Sequence, residues 1–530
     1  MARALAVAAV AAALSQFVDA QNPACAAVGT ETYDYIIIGS GAGGIPMADL
    51  LTEAGKSVLL VERGPLSSGR YNGTMKPDWL VGTNLTRFDV PGLFNQIWRD
   101  PTGVRCEDHE VMAGCVLGGG TAVNSALWWK PHTRDWDLNF PTGWKAKDMQ
   151  PLIEKVWNRI PGTQYPGRDG KLLNQEGFDV VTKGLAEAGF RGVIPNDEPD
   201  AKNHTFGRPT FFLANAERHG PLRTYLETAS MRSKFNLFVN TDARRLVRTG
   251  GKVTGVELEC YKNGTRGAGH SGTVNVTPGT GRVILSAGTF GSAKILLRSG
   301  IGPKDQLDLV KASTLDGPTM ISSDQWINLP VGYNLNDHVA PNLGPMFWQT
   351  ITGSDGIVRH IQWQARVEGR TDTAMTITQY VGTGTVSRGR MGLRANNLNT
   401  RVLTDPYLRN AVDKEVVATG IEYIRGVLSK IDKLTWIVPA ANVTTSTFVD
   451  SVLPTKESRG SNHWTGSATI GTDDGRTGGN AVVDLDTKVY GTDNLFVVDA
   501  SIFPGQITGN PTGAIIAVAE NAAKKILALK

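Results

Sequence analysis

The stretch that decides the fold is Tyr33-Asp34-Tyr35-Ile36-Ile37-Ile38-Gly39-Ser40-Gly41-Ala42-Gly43-Gly44, with its continuation to Ser57-Val58-Leu59-Leu60-Val61-Glu62. Tyr33 to Ile38 is a short apolar run with β-branched residues, as suits a strand buried on both faces of a parallel sheet. A helical stretch to Ala54 follows the glycines, Gly55 stands where a helix C-cap belongs, and Ser57 to Val61 repeats the buried-strand pattern. Parallel neighbours require a crossover, so the segment reads as one βαβ half-unit. In Gly39-x-Gly41-x-x-Gly44 the first glycine permits the tight turn. The second lets backbone approach a pyrophosphate, and the third lets helix pack on strand. The pyrophosphate then sits at a helix N-terminus, where free N–H groups and the macrodipole favour negative charge. Glu62 closes the second strand, where a carboxylate binds ribose hydroxyls and repels a 2′-phosphate, which disfavours NADP. The unit is a dinucleotide site and does not choose between FAD and NAD.

Working outward, the pattern recurs. Gly281 to Gly288 is a buried strand running into a glycine turn, with a helix from Ser292 to Arg298. Asn494 to Ala500 is another buried strand, and Thr512 to Leu529 a long final helix. Leu237 to Val247 and Val253 to Glu259 read as strands of a β-rich connection. Nucleotide-type strands at the start, middle and end imply one discontinuous domain over residues 31–150, 211–302 and 456–530. A second domain is then inserted from residues 151–210 and 303–455.

The chain has 530 residues, 41% hydrophobic and 20% charged, which excludes disordered, collagen-like and coiled-coil classes. Net charge is +4 with no Lys/Arg-rich run, so no nucleic-acid partner is expected. Arg3, the apolar run Ala4 to Leu14 and the small-residue end of Val18-Asp19-Ala20 read as a signal peptide over residues 1–20. The run is shorter than the ~20 residues of a membrane span and no later stretch qualifies, so no membrane partner is expected. N-x-S/T acceptors stand at Asn72, Asn84, Asn203, Asn263, Asn275 and Asn442. The four cysteines are even in number and suit an oxidising compartment. Cys106 and Cys115 are close enough to pair; Cys25 and Cys260 either pair or stay free. None has zinc-ligand or haem-attachment spacing, so no metal site is expected. The localisation read from these features is secreted, as a glycoprotein.

A further glycine cluster, Gly114-Cys115-Val116-Leu117-Gly118-Gly119-Gly120-Thr121-Ala122-Val123-Asn124, leaves backbone bare enough for a flat ring or phosphate to lie against N–H groups. The segment Gly114 to Asp137 resembles the first signature of the glucose–methanol–choline (GMC) oxidoreductases. Gly288 to Gly302 resembles the second, with Ala293 as a departure, and Leu329 to His338 is a third family-like stretch. The resemblance implies FAD as cofactor. The fold class is then α/β: a discontinuous Rossmann-like FAD-binding domain with an inserted α+β substrate-binding domain carrying an antiparallel sheet. Cofactor contacts fall to Gly39, Gly41, Gly44, Glu62, Gly118, Gly119, Thr121, Asn124, Asp499, Ala500 and Thr512. In the family, the residues matching His463 and Asn510 face the flavin from the substrate side. His463 is then the general base for alcohol oxidation, with an unperturbed pKa of about 6.5 near working pH. Asn510 holds the same hydroxyl. His338 is read as structural.

Within the family, Gly118 to Trp129, Phe140-Pro141-Thr142-Gly143-Trp144 and Ser461-Asn462-His463-Trp464 resemble the flavin domain of cellobiose dehydrogenases. The matches of Ser461 and Asn462 there help bind sugar. Arg366 either matches a sugar-contacting arginine or is a surface arginine. Those enzymes begin with a cytochrome domain, which this chain does not show, so no haem domain is expected and electrons pass directly to a quinone or other acceptor. A long insertion that helps wall their sugar site, after the match of His338, is also missing, which implies a more open mouth. The reading is a secreted FAD-dependent dehydrogenase oxidising a sugar's anomeric hydroxyl to a lactone. The rival is an alcohol oxidase acting on aryl or small aliphatic alcohols with O₂ as acceptor.

Overall fold

The apolar runs collect as their burial demands. They form a five-stranded parallel sheet in the order Leu495–Val497, Arg282–Leu285, Tyr35–Ile38, Val58–Val61, Phe235–Phe238. Its central strands are sealed on both faces, with Ile36, Ile37, Leu59 and Leu60 wholly buried. The helices Gly44–Glu53 and Thr512–Ala528 pack on one another beside it. A computed structural model describes residues 25–172, 175–261, 269–339, 346–366 and 374–530. The expected signal peptide and Asn263 lie outside the described residues.

Two strand boundaries differ from the sequence reading. Thr32–Tyr33 leaves the parallel sheet and pairs with Gly269–Val276, because Asp34 turns its carboxylate to the Ser57 amide at 2.9 Å instead of continuing the ladder. The run Leu237 to Val247 is two strands rather than one. Phe235–Phe238 extends the parallel sheet, Asn240 takes φ +52, and Thr241–Thr249 then pairs antiparallel with Lys252–Cys260. The helix expected from Ser292 begins at Gly288.

The second sheet runs Thr376–Val381, Val358–Arg366, Met346–Thr352, Thr205–Gly207, Arg191–Gly192, and all its pairings but the last are antiparallel. Strand alternation divides its faces. Trp363 bonds Gln379, which donates to the Val417 carbonyl of the helix Ala411–Leu428. Gln362 and Gln364 face the other way, and their cross-strand partners are Tyr380 and Thr378. Cys106 pairs with Cys115 and Cys25 with Cys260, which resolves the open alternative for the second pair.

Candidate active site

A cavity of about 730 Å³ opens beyond the carboxyl ends of the parallel strands, with Glu62 and His463 both on its wall. The three expected glycines prove physically distinct. A side chain on Gly39 (φ +99) would strike the Ser286 carbonyl at 2.4 Å, and one on Gly44 the Gly39 carbonyl at 1.9 Å. A side chain on Gly41 would meet nothing within 4 Å, so there the backbone itself is bared. The helix Gly44–Glu53 has no side-chain cap at its N-terminus, which leaves its first N–H groups for an anion.

Glu62 is buried. Its Oε2 accepts from the Ser40 amide (3.1 Å) and hydroxyl (2.5 Å), and its Oε1 from the Gly64 amide (2.8 Å). Burial raises its pKa despite these donors. Gly118 lies one layer back, giving its N–H to Ser40 Oγ and facing Leu222, while Gly119, Thr121 and Asn124 line the cavity. Asn124 donates to Thr512 Oγ1 at 3.2 Å and accepts from Arg218 at 2.9 Å. Arg218, which the sequence reading missed, is buried and also holds the carbonyls of Phe88, Thr121 and Asn124. An isolated arginine outside every motif gave no cue to it. Asp499 clamps the Gly288 amide and the Ser292 hydroxyl, and lines the cavity with Ala500. The sequence also gave no cue to Asp108, which ties the Cys106–Cys115 loop to Arg63 (2.7 Å) and Lys294 (2.6 Å) on the cavity wall.

At the other end, His463 and Asn510 come together, with Asn510 Nδ2 3.0 Å from His463 Nε2. Their orientation follows from two fixed ends. The indole N–H of Trp129 only donates, and it reaches Asn510 Oδ1 at 2.9 Å, so the Asn510 NH₂ faces His463 and Nε2 must accept. His463 Nδ1 then carries the proton and donates to His338 Nδ1 at 3.0 Å. His338 Nε2 in turn donates to the Ile507 carbonyl at 2.7 Å, which only accepts. Starting from that carbonyl gives the same tautomers. His463 therefore presents an unprotonated Nε2 to the cavity, as a general base must. Burial and the neighbouring His338 hold its pKa well below the usual histidine range, and burial lowers His338 to about 4. His338, read from the sequence as structural, is the direct hydrogen-bond partner of His463.

A single buried carboxylate fixes the His463 loop. Asp337 accepts from the amides of Ser461 (2.8 Å) and His463 (2.7 Å), from the Ser461 hydroxyl, and from Tyr407 (2.6 Å). The Ser461 hydroxyl, expected to bind substrate, is thus already engaged. Asn462 (φ +60) is exposed on the cavity wall. Arg366 ends its strand opposite Thr376, and its side chain lies outside the described residues.

These residues fit FAD. The bared Gly41 backbone and the uncapped helix suit its pyrophosphate, Glu62 retains acceptor capacity for a ribose hydroxyl, and the N-terminus of Thr512–Ala528 reaches the cavity without a side-chain cap. Bound there, FAD supplies the acceptor for a hydride from an alcohol carbon. The geometry would let His463 take a hydroxyl proton at Nε2 and the Asn510 amide orient the same oxygen.

Comparison with known proteins agrees. Family models for GMC oxidoreductases match residues 33–340 and 385–519. The chain is 27% identical to an oxygen-dependent choline dehydrogenase of Vibrio vulnificus, over 93% of this chain and 94% of that one. The corresponding protein of Rhizobium johnstonii is 26% identical, over 93% and 95%. Among solved structures, a fungal aryl-alcohol oxidase shares the fold with a TM-score of 0.69 and 18% identity, over 94% of this chain and 99% of that one. Pyridoxine 4-oxidase from Mesorbium loti does so with a TM-score of 0.69 and 19% identity, over 93% and 98%. Over most of its length, this chain therefore belongs to the GMC oxidoreductases, FAD-dependent enzymes that act on CH–OH groups.

Proposed function

We propose that the protein is a secreted dehydrogenase that oxidises the anomeric hydroxyl of a sugar to a lactone and passes the electrons to a quinone-type acceptor. The observation that carries the reading is Asn462, an exposed polar side chain on the cavity wall next to His463. Gln364 and Thr378 are cross-strand partners, both buried, and Gln364 Nε2 lies 3.4 Å from Asn510 Oδ1. Gln364 Oε1 and Thr378 Oγ1 have no hydrogen-bond partner among the described residues. Both lie behind Asn510 and outside the cavity lining, so they back the catalytic amide with polar groups and do not themselves meet the substrate. A fixed positive charge, as choline carries, is poorly served. The carboxylates lining the cavity are Glu62, Asp108, Asp242 and Asp499, and each is already bonded to amides, hydroxyls or cations. The likeness of Ser461 to Trp464 to cellobiose dehydrogenases agrees with this reading. The two disulfides and the exposed acceptors Asn72, Asn84, Asn203, Asn275 and Asn442 support secretion.

A second reading, an oxidase of aryl or small aliphatic alcohols using O₂, is favoured by the Tyr380 ring 5.6 Å from that of His463 and by the oxygen-dependent relatives. Anaerobic flavin bleaching by cellobiose, cello-oligosaccharides, glucose, benzyl alcohol and choline separates the two. Bleaching by the sugars, with little peroxide formed under air when a quinone is present, is the expected result. Bleaching by benzyl alcohol alone, with stoichiometric peroxide, overturns the sugar reading.

A further inference from the structure

Both ends of the imidazole chain are anchored on one short loop. Ile507 supplies the carbonyl that ends it behind His338, and Asn510 supplies the amide that begins it in front of His463. Between them stand Thr508 and Gly509, the latter with φ +90. The backbone amide of Thr508 (2.9 Å) and its hydroxyl (2.8 Å) both donate to Oδ1 of Asp135, a carboxylate with no solvent exposure. The same oxygen accepts from Thr383, just past the Thr376–Val381 strand of the second sheet. Asp135 Oδ2 takes the amide of His132 at the start of the helix Thr133–Asn139.

We propose that Asp135 is a positioning residue for alcohol oxidation, setting through Thr508 the distance between the Asn510 amide and the His463 base and seating the Ile507 carbonyl against His338. Three parts of the chain meet on this carboxylate: the signature-bearing segment that holds the cofactor, the catalytic loop, and the substrate-domain sheet. No other described side chain bonds both the backbone and the side chain of Thr508. Gly382 brings the sheet so close that a side chain there would lie 2.9 Å from Thr508 Cα, so the loop has little room to shift while Asp135 holds it.

The inference rests on Asn510 and His463 acting together on the substrate hydroxyl, and the test separates the two claims. Asp135→Asn and Asn510→Ala are made singly and together in the FAD-loaded full chain. The rate and half-saturation of anaerobic flavin bleaching are read with cellobiose and with benzyl alcohol. Asp135→Asn is expected to slow bleaching at least ~10-fold with half-saturation within about threefold and flavin content unchanged, since misplacement of ~1 Å can cost ~10²-fold. In the Asn510→Ala background it should cost clearly less, because the amide arm is gone and only the seating of the Ile507 carbonyl against His338 remains to be lost. Equal fold-losses in both backgrounds, or a native rate in Asp135→Asn, overturn the proposal. A silent Asn510→Ala overturns the reading beneath it.

Should Asp135→Asn fail to fold, Thr508→Val removes only the hydroxyl arm. A loss there that Thr508→Ser restores supports the proposal, and a loss in neither overturns it. A readout that needs no substrate is ¹⁵N NMR of the histidine-labelled, FAD-loaded protein. The Thr508→Val change should shift the ring-nitrogen resonances of His338 and His463, and unshifted resonances count against Asp135.

Discussion

Nδ1 of His463 lies 3.0 Å from Nδ1 of His338, so two like atoms face each other across one hydrogen bond and only one of them carries the proton. The Ile507 carbonyl behind His338 assigns that proton to His463, which leaves Nε2 of His463 unprotonated and accepting from the Asn510 amide. A surface histidine would alternate between tautomers. This one is held in the tautomer that carries its proton on Nδ1.

Removing the base tests the mechanism directly. His463→Ala is expected to lower turnover at least ~10²-fold while the flavin is retained, measured as steady-state rate against flavin absorbance of the purified protein. A near-native rate would remove His463 from the chemistry.

The pH profile follows from the depressed histidines. Because burial and His338 push the His463 pKa down, the base is neutral across neutral pH and protonates only under acid conditions. The acid limb of kcat/KM is therefore expected below pH ~6.5, the unperturbed histidine value, with a plateau above it from this group. His338→Gln preserves an acceptor toward His463 and a donor toward Ile507 but removes a titrating ring, so the limb should move to higher pH with much of the activity kept. His338→Ala abolishes the tautomer lock and should cost more turnover. Identical profiles in all three proteins would refute the assigned coupling.

Cofactor retention should depend on Glu62. Its carboxylate holds Ser40, within the glycine turn, and Gly64 beyond the strand. Glu62→Ala is expected to speed flavin release on dilution more than it slows the bleaching step. Unchanged release followed by flavin fluorescence would deny the residue its ribose role.

Substrate choice should respond to Asn462, which stands exposed on the cavity wall next to His463. Asn462→Gly removes a hydrogen-bonding side chain where the backbone is left-handed (φ +60), so kcat/KM for cellobiose should fall ~10-fold while that for benzyl alcohol is held. Equal losses for both would point to damage at His463 rather than to hydroxyl recognition.

Much of the cofactor site was legible because its cues are local. Gly39, Gly41, Gly44 and Glu62 lie on one βαβ unit, where glycine spacing, strand burial and a terminal acid report the same crossover within contiguous residues. Even there a boundary went astray: Leu237 to Val247 is continuous in hydropathy, yet a left-handed turn at Asn240 sends its two halves to different sheets.

What the sequence by itself determined was the pair of glycine turns, the buried parallel strands, the acid at Glu62 and the family motifs carrying His463 and Asn510. Only the tertiary structure decided that His338 backs the base, that Asp337 and Asp135 hold the two catalytic loops, that Arg218 grips Asn124, and that Cys25 reaches Cys260. The reason is separation along the chain. His338 and His463 are 125 residues apart and Asp135 and Thr508 are 373 apart, so their meeting leaves no periodicity or spacing to read. Such contacts arise from how the sheets and loops pack, and a buried polar group reveals its partner only once the chain is folded around it.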